Sequence, residues 1–374
     1  MKKRVKRKIA KGHDKENLIP ERSFKSFLKL AFFLYLFILA IQLIKKASGE
    51  IAPDAQQFIF ANLSPLKAIA AGWFSTTVAQ SSGAVSSVAI SFVGNNIIDL
   101  PTAVYILVGA SMGTTITALI ISLITVTSKR KDFRHGFEIA LCYSIYSFIL
   151  VFIVFFLEYF FAFFSRLSLY LALLFEGNFS YLKVPDVVDI VTGPLVKPLS
   201  DSNFFFVLLI AFLILIFALK HISRAIMEVL GGEVKAKYFI NRHFDSPMKA
   251  YFLGVVLTAI VFSSSITISL LVPLAVSGLI GLRRSIPFIL GADLGTFTDT
   301  FLVSLIVGET NAIAAAFSYA LFAIIGAIIF LPNTNFLFRA TKFTSKKLIK
   351  ISRKKALYVL LLFVLIPLGI IVFF

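Results

Sequence analysis

Residues 64–83 read SPLKAIAAGWFSTTVAQSSG and residues 246–265 read SPMKAYFLGVVLTAIVFSSS, one pattern written twice at an offset of 182 (246 − 64 = 182). The match continues without insertion from Ser64–Ile124 to Ser246–Ile306. Its identities include Ser81/Ser263, Ser82/Ser264 and Ser87/Ser269, then Gly109/Gly291, Gly113/Gly295 and Thr114/Thr296. A chain that only had to fill lipid would repeat Leu and Ile. Duplicated Ser, Thr and Gly within apolar sequence point instead to a duplicated polar site inside a bilayer.

With 374 residues, 58% of them hydrophobic, and a mean hydropathy of +0.91, the chain is too apolar for a soluble enzyme and reads as an all-α polytopic membrane protein. The net charge of +18 does not indicate nucleic acid, because Lys and Arg sit between apolar runs and in the MKKRVKRK opening. That is the distribution of topology signals and lipid-headgroup contacts; a polybasic arm for a cytoplasmic partner is the other reading of residues 1–22. Cys142 is alone, so neither an intrachain disulfide nor a thiolate metal cluster can form. The first apolar stretch, Phe27–Ile44, has no small-residue cleavage pattern after it and reads as a retained helix. The four His residues fall in the tail or loops, and no HExxH, Walker loop or GxSxG is present, so neither an intramembrane hydrolase nor an ATP-driven pump has visible machinery.

Seven runs of spanning length are predicted, at about 27–44, 103–126, 137–164, 204–219, 285–307, 312–331 and 356–374. Two weaker regions, 65–98 and 247–281, are each interrupted by a polar cluster into halves of about 15 residues, short of the ~20 needed to cross. Both read as re-entrant helical hairpins. Basic loops at Lys129–Arg134, Lys220–Arg242 and Arg339–Lys355 then alternate with the crossings only if both hairpins turn back on the side they entered. The expected organisation is a basic cytoplasmic tail (1–26), repeat 1 (27–164) and an extracellular loop (165–202). It continues with repeat 2 (203–331), inverted relative to the first, a basic cytoplasmic loop (332–355) and a final helix (356–374) ending outside the cell membrane.

A helix broken at Gln80–Gly83 or at Phe262–Ser265 leaves the N-terminal amides of its second half unpaired, and such amides bind anions. Neighbouring hydroxyls, Ser86 and Thr267 among them, can donate to an anion or coordinate sodium through oxygen. The paired motifs GASMGTT (109–115) and GADLGTF (291–297) suggest local unwinding that exposes carbonyl and Thr oxygens to a cation; the alternative is close helix packing through glycine. Asp293 and Asp299 lie within a predicted span, where a carboxylate costs about 2.5–3.5 kcal/mol. Asp293 reads as a cation or proton site, whereas Asp299, six residues on, reads equally as a helix-packing hydrogen bonder.

Together, QSSG and FSSS at the tips and the two glycine motifs resemble the type II sodium-dependent phosphate cotransporter family, whose pattern is QSSS in each repeat followed by GxNxGTT. The resemblance covers about residues 64–122 and 246–308. It implies import of inorganic phosphate with sodium, a secondary active process by alternating access, with no cofactor beyond the coupling ion. Carried over by position, Gln80, Ser81, Ser82, Ser263, Ser264 and Ser265 are the substrate candidates. Ser86, Thr114, Thr115, Thr267, Asp293 and Thr296 are the cation candidates. The chain departs from the pattern at Phe262, where Gln is expected, at Gly83, where a third Ser is expected, and at Ser111 and Asp293, where each repeat should carry Asn. Those departures leave open a relative with altered oxyanion or cation selectivity, or a non-transporting interaction protein on the same fold. No soluble helical domain of the kind many bacterial relatives carry follows the membrane region, so control by such a domain is not expected.

Overall fold

The computed structural model describes residues 19–49, 63–124, 130–179, 184–200, 203–229, 246–349 and 353–373, with scattered positions between 232 and 244. Most of the expected basic tail therefore lies outside the described residues. Every element among them is a helix. The first half of the chain contains α1 (Ile19–Gly49), the short pair α2 (Pro65–Ala79) and α3 (Ser82–Gly94), α4 (Leu100–Ile124) and α5 (Arg130–Phe161). Then come α6 (Phe163–Phe179) and α7 (Val184–Ser200). The second half follows with α8 (Phe204–Val229), the short pair α9 (Pro247–Val261) and α10 (Ser264–Val276), α11 (Leu282–Gly295), α12 (Phe297–Val307) and α13 (Thr310–Phe330). The chain closes with α14 (Thr334–Ile349) and α15 (Arg353–Phe373).

Six spans among the described residues are long and apolar enough to cross a bilayer, and the protein is an all-α polytopic membrane protein. The seventh expected crossing is α15, whose apolar part, Leu360–Phe373, is shorter than a full span. Two stretches expected as loops are helical. Residues 165–202 fall largely in α6 and α7, which pack on α13 and α1. The chain turns into α6 at Ala162, in the left-handed region (φ 49), and the buried Glu158 carboxylate accepts from the N–H groups of Phe164 (2.8 Å) and Ser165 (3.1 Å), capping the new helix. Within 332–355, Leu337, Thr341 and Ser345 are buried at four-residue spacing, which makes α14 an amphipathic helix on α5 and α11. Lys346 and Lys347 are exposed, and in sequence the charge of this segment mimics a loop.

The short pairs are built identically. Ser64 and Ser246 cap α2 and α9, each followed by Pro at the first helical position, where its missing N–H costs nothing. Each helix ends on a residue in the left-handed region, Gln80 (φ 55, ψ 30) and Phe262 (φ 57, ψ 30). Extended Ser81 and Ser263 then cap α3 and α10. A left-handed conformation costs a residue bearing a Cβ about 1–2 kcal/mol, so strain is held at both tips.

Glycine decides how these pairs meet the long helices. A Cβ on Gly72 or Gly109 would collide with the carbonyls of Ile106 and Ile69, and one on Gly254 or Gly291 with those of Phe288 and Tyr251, the same contacts 182 residues on. With Gly113 against Trp73 as well, α2 and α4 lie parallel and almost backbone to backbone. The chain therefore doubles back along α3 before starting α4. The unwinding expected at residues 109–115 does not occur: α4 is continuous, and α11 is interrupted only at Thr296, which keeps helical dihedrals (φ −65, ψ −22). The glycines serve close packing. Gly109→Ala is accordingly expected to destabilise the protein by about 1–3 kcal/mol, read as a lowered melting temperature in detergent. Gly281→Ala, with nothing within 4 Å of its Cβ, is expected to cost less than about 1 kcal/mol, the effect of Ala at the N-cap of α11.

Candidate functional site

Both tips open into one cavity of about 700 Å³. Gln80, Ser81, Ser82 and Gly83 line it from the first tip, and Phe262, Ser263 and Ser265 from the second. The first turns of α3 and α10 thus point unpaired amides, each carrying part of a half positive charge per helix, into a common space. The hydroxyls are already partly committed. Ser81 Oγ accepts from Ala84 N (3.2 Å) and Ser263 Oγ from Ile266 N (3.3 Å), which leaves both O–H groups free to donate. Gln80 is held by its amide: Nε2 donates to Thr77 O (2.7 Å) and Oε1 accepts from Thr117 Oγ1 (3.0 Å). Phe262, with no such handle, packs its ring against the core.

Five of the six substrate candidates line the cavity. Ser264 does not; it is buried beside it. Of the cation candidates only Thr296 lines it, and its hydroxyl donates to Ala292 O (3.2 Å), as Thr114 donates to Ala110 O (3.0 Å). Thr267 Oγ1 pairs with Thr258 Oγ1 (2.8 Å). Asp293 is fully buried and not in the cavity; Ser111 Oγ donates to its Oδ1 (3.1 Å) and Tyr146 Oη to its Oδ2 (2.8 Å). Ser86 and Thr115 are different. Among the described residues, their hydroxyls are buried without a hydrogen-bond partner, as are those of Thr76 and Thr77 and Oδ1 of Asp299. Buried oxygens without donors are the kind of group that an oxygen-seeking cation satisfies.

Asp299, in the first turn of α12, proves to be part of the cavity wall. A Cβ added at Gly83 would lie 2.6 Å from its Oδ2. The carboxylate therefore occupies the space that a side chain at the third tip position would need, and Gly83 and Asp299 are complementary in shape. A sequence signal existed: Asp299 is the counterpart of Thr117 at the same offset, and both line the cavity. Lys220 and Arg224 on α8 also line it, where sequence alone marked them as topology charges.

The direction of opening follows from α1 and α8. Lys29 Nζ lies 3.7 Å from Glu228 Oε2, and the Phe33 ring lies 4.8 Å from His221, so the start of α1 meets the end of α8 and the two run antiparallel. The cavity, lined by Lys220, Arg224 and Glu228, opens at that end. At the other end of α1, about 24 Å away at 1.5 Å per residue, Lys45 Nζ donates to Val307 O (2.7 Å) and Gln42 Nε2 to Asp189 Oδ1 (2.9 Å).

Residues 36–179 and 214–370, most of the chain, match the family profile described as Na+/Pi-cotransporter. The chain belongs to the Na+/Pi-cotransporter family. Members similar to it include sodium-dependent phosphate transport protein 2A of Ovis aries, 23% identical over 421 residues, covering 90% of this chain and 65% of that protein. Sodium-dependent phosphate transport protein 2B of Bos taurus is 24% identical over 446 residues, covering 92% and 64%. The uncharacterized protein YqeW of Bacillus subtilis is 25% identical over 282 residues, covering 75% and 72%. The chain thus spans slightly less than two thirds of the length of the transport proteins it matches. No solved structure matches it.

Proposed function

We infer that this Na+/Pi-cotransporter family member moves inorganic phosphate together with sodium by alternating access, with both hairpin tips forming the phosphate site. The observation that carries this reading is the single cavity in which the two tips meet. Free amides and hydroxyls from Ser81, Ser82, Ser263 and Ser265 supply a cage for an oxyanion without placing Lys or Arg on it. Lys220 and Arg224 at the mouth raise the local anion concentration. The unpartnered oxygens of Ser86, Thr115 and Asp299 supply ligand atoms for sodium, and a cation there offsets the repulsion between the Asp299 carboxylate and a phosphate dianion. Thr296 lines the cavity with its hydroxyl turned to Ala292 O, and Thr114, Thr267, Ser264 and Asp293 support the site from behind.

Inversion of the repeats is supported by two features. The equivalent helices α1 and α8 run antiparallel. Ser111 meets Asp293, its own counterpart 182 residues on, as residues at a two-fold axis do. With the basic loops placed in the cytoplasm, both hairpins are re-entrant, the cavity faces inward and the Lys45–Val307 contact closes the outer side. If one net positive charge enters per cycle, a potential of about 100 mV contributes about 2.3 kcal/mol, roughly fiftyfold accumulation.

A second reading, altered cation or oxyanion selectivity, is favoured by the carboxylate that stands beside Gly83. Counterflow of labelled phosphate in proteoliposomes separates the two. The leading reading predicts exchange that requires sodium. Exchange unaffected by replacing sodium with choline would establish the second, and the absence of exchange for any oxyanion would leave a non-transporting interaction protein.

A further inference from the structure

A second cavity, of about 570 Å³, lies between the first turns of α5 and the helix α14, lined by Arg134, His135, Phe338, Lys342 and Lys346. It is far from neutral and it is built. Glu138, its side chain 1% exposed, lies beneath it and accepts from Arg134 Nε (2.8 Å), Lys342 Nζ (2.6 Å) and Ser345 Oγ (3.0 Å). One buried carboxylate thus fixes two cations in place, while Lys346 and His135 have no hydrogen-bond or ion-pair partner among the described residues. Among the described residues, three full positive charges face one negative charge. Phe338 adds a ring approached by Lys342 Nζ (5.7 Å) and by the Arg283 guanidinium (5.4 Å), so a further cation stands at the rim. No other acidic group bonds to these cations among the described residues.

The same helix states where the cavity lies. Phe336 and Phe343 are more than half exposed on α14, and Lys347 Nζ sits 4.4 Å over the Phe343 ring. Exposed phenylalanines beside lysines on an amphipathic helix are the composition of a segment lying in the membrane interface, with rings at acyl-chain depth and cations at the level of headgroups. A net positive, preorganised pocket at that depth complements a negatively charged phosphodiester.

We propose that this pocket is a binding site for the headgroup of an anionic phospholipid, which bridges α5 and α14. Lys346 supplies the free cation, while Arg134 and Lys342 are held ready by Glu138. The site is independent of the tip cavity and of the transport reading. Its lipid spans the helix that also packs on α11, the element carrying Asp293.

The test uses the full chain in detergent, given phosphatidylglycerol or phosphatidylcholine and examined by native mass spectrometry and melting. Phosphatidylglycerol is expected to remain bound and to raise the melting temperature, and phosphatidylcholine to do neither. Lys346→Gln, a change at an exposed residue that leaves the Glu138 cluster intact, is expected to weaken phosphatidylglycerol retention about fivefold, the equivalent of about 1 kcal/mol. Lys347→Gln, one residue on and outside the pocket, is the control and is expected to change retention little. Equal retention of both lipids, or equal losses from both substitutions, would overturn the proposal. Displacement of the lipid by millimolar inorganic phosphate would also overturn it, identifying the pocket as a free-anion site.

Discussion

Gly83→Ser, which rewrites the first tip as QSSS, is expected to lower sodium-dependent phosphate uptake by about tenfold or more rather than to improve it. The new Cβ would lie 2.6 Å from Asp299 Oδ2, so the carboxylate must shift from its place on α12, which is packed against α3 and α13. Overpacking of this kind costs about 1–3 kcal/mol, here at the wall of the cavity between the tips. Asp299→Ala alone is also expected to be impaired, since it removes a carboxylate oxygen proposed as a sodium ligand. The double variant removes the clash and restores a hydroxyl, so it is expected to transport better than either single one. In a double-mutant cycle, contacting residues couple by about 0.5–3 kcal/mol. Simple additivity of the two losses would mean that Gly83 and Asp299 do not share this space in the working protein.

Ser82→Ala and Ser265→Ala are each expected to weaken phosphate binding by about 10- to 150-fold. A hydroxyl donating to a charged acceptor contributes about 1.5–3 kcal/mol, and both residues line the cavity. Ser264→Ala is expected to have a much smaller effect, although Ser264 is the counterpart of Ser82, because it is buried outside the cavity lining. The measurement is the concentration of phosphate giving half-maximal uptake, with surface amount and elution profile as controls. Equal shifts for Ser82→Ala and Ser264→Ala would contradict the asymmetry of the two tips.

That asymmetry marks the limit of what the sequence made legible. The breaks at Gln80 and Phe262 could be read because polar caps interrupt an apolar run, and local chemistry sets them. The glycine motifs could be located but not interpreted, since close packing and unwinding use the same residue. Only the carbonyls of Ile69 and Tyr251, facing Gly109 and Gly291, decide for packing. Asp299 could not be assigned because its partner, Gly83, is distant in sequence and contributes an absence of side chain. Asp293 looked like a site residue since an intramembrane carboxylate usually faces a cavity, but Ser111 and Tyr146 satisfy both its oxygens away from it. Residues 332–355 read as a loop because charge density hid the buried stripe of Leu337, Thr341 and Ser345.

The central claim, one oxyanion held between two helix tips, is tested most directly by cryo-electron microscopy of the protein with sodium and tungstate, a tetrahedral oxyanion of high scattering power. The account predicts density within hydrogen-bond reach of the hydroxyls of both Ser82 and Ser265. Density confined to Lys220 and Arg224 at the cavity mouth, or absent from the space between the tips, would contradict it.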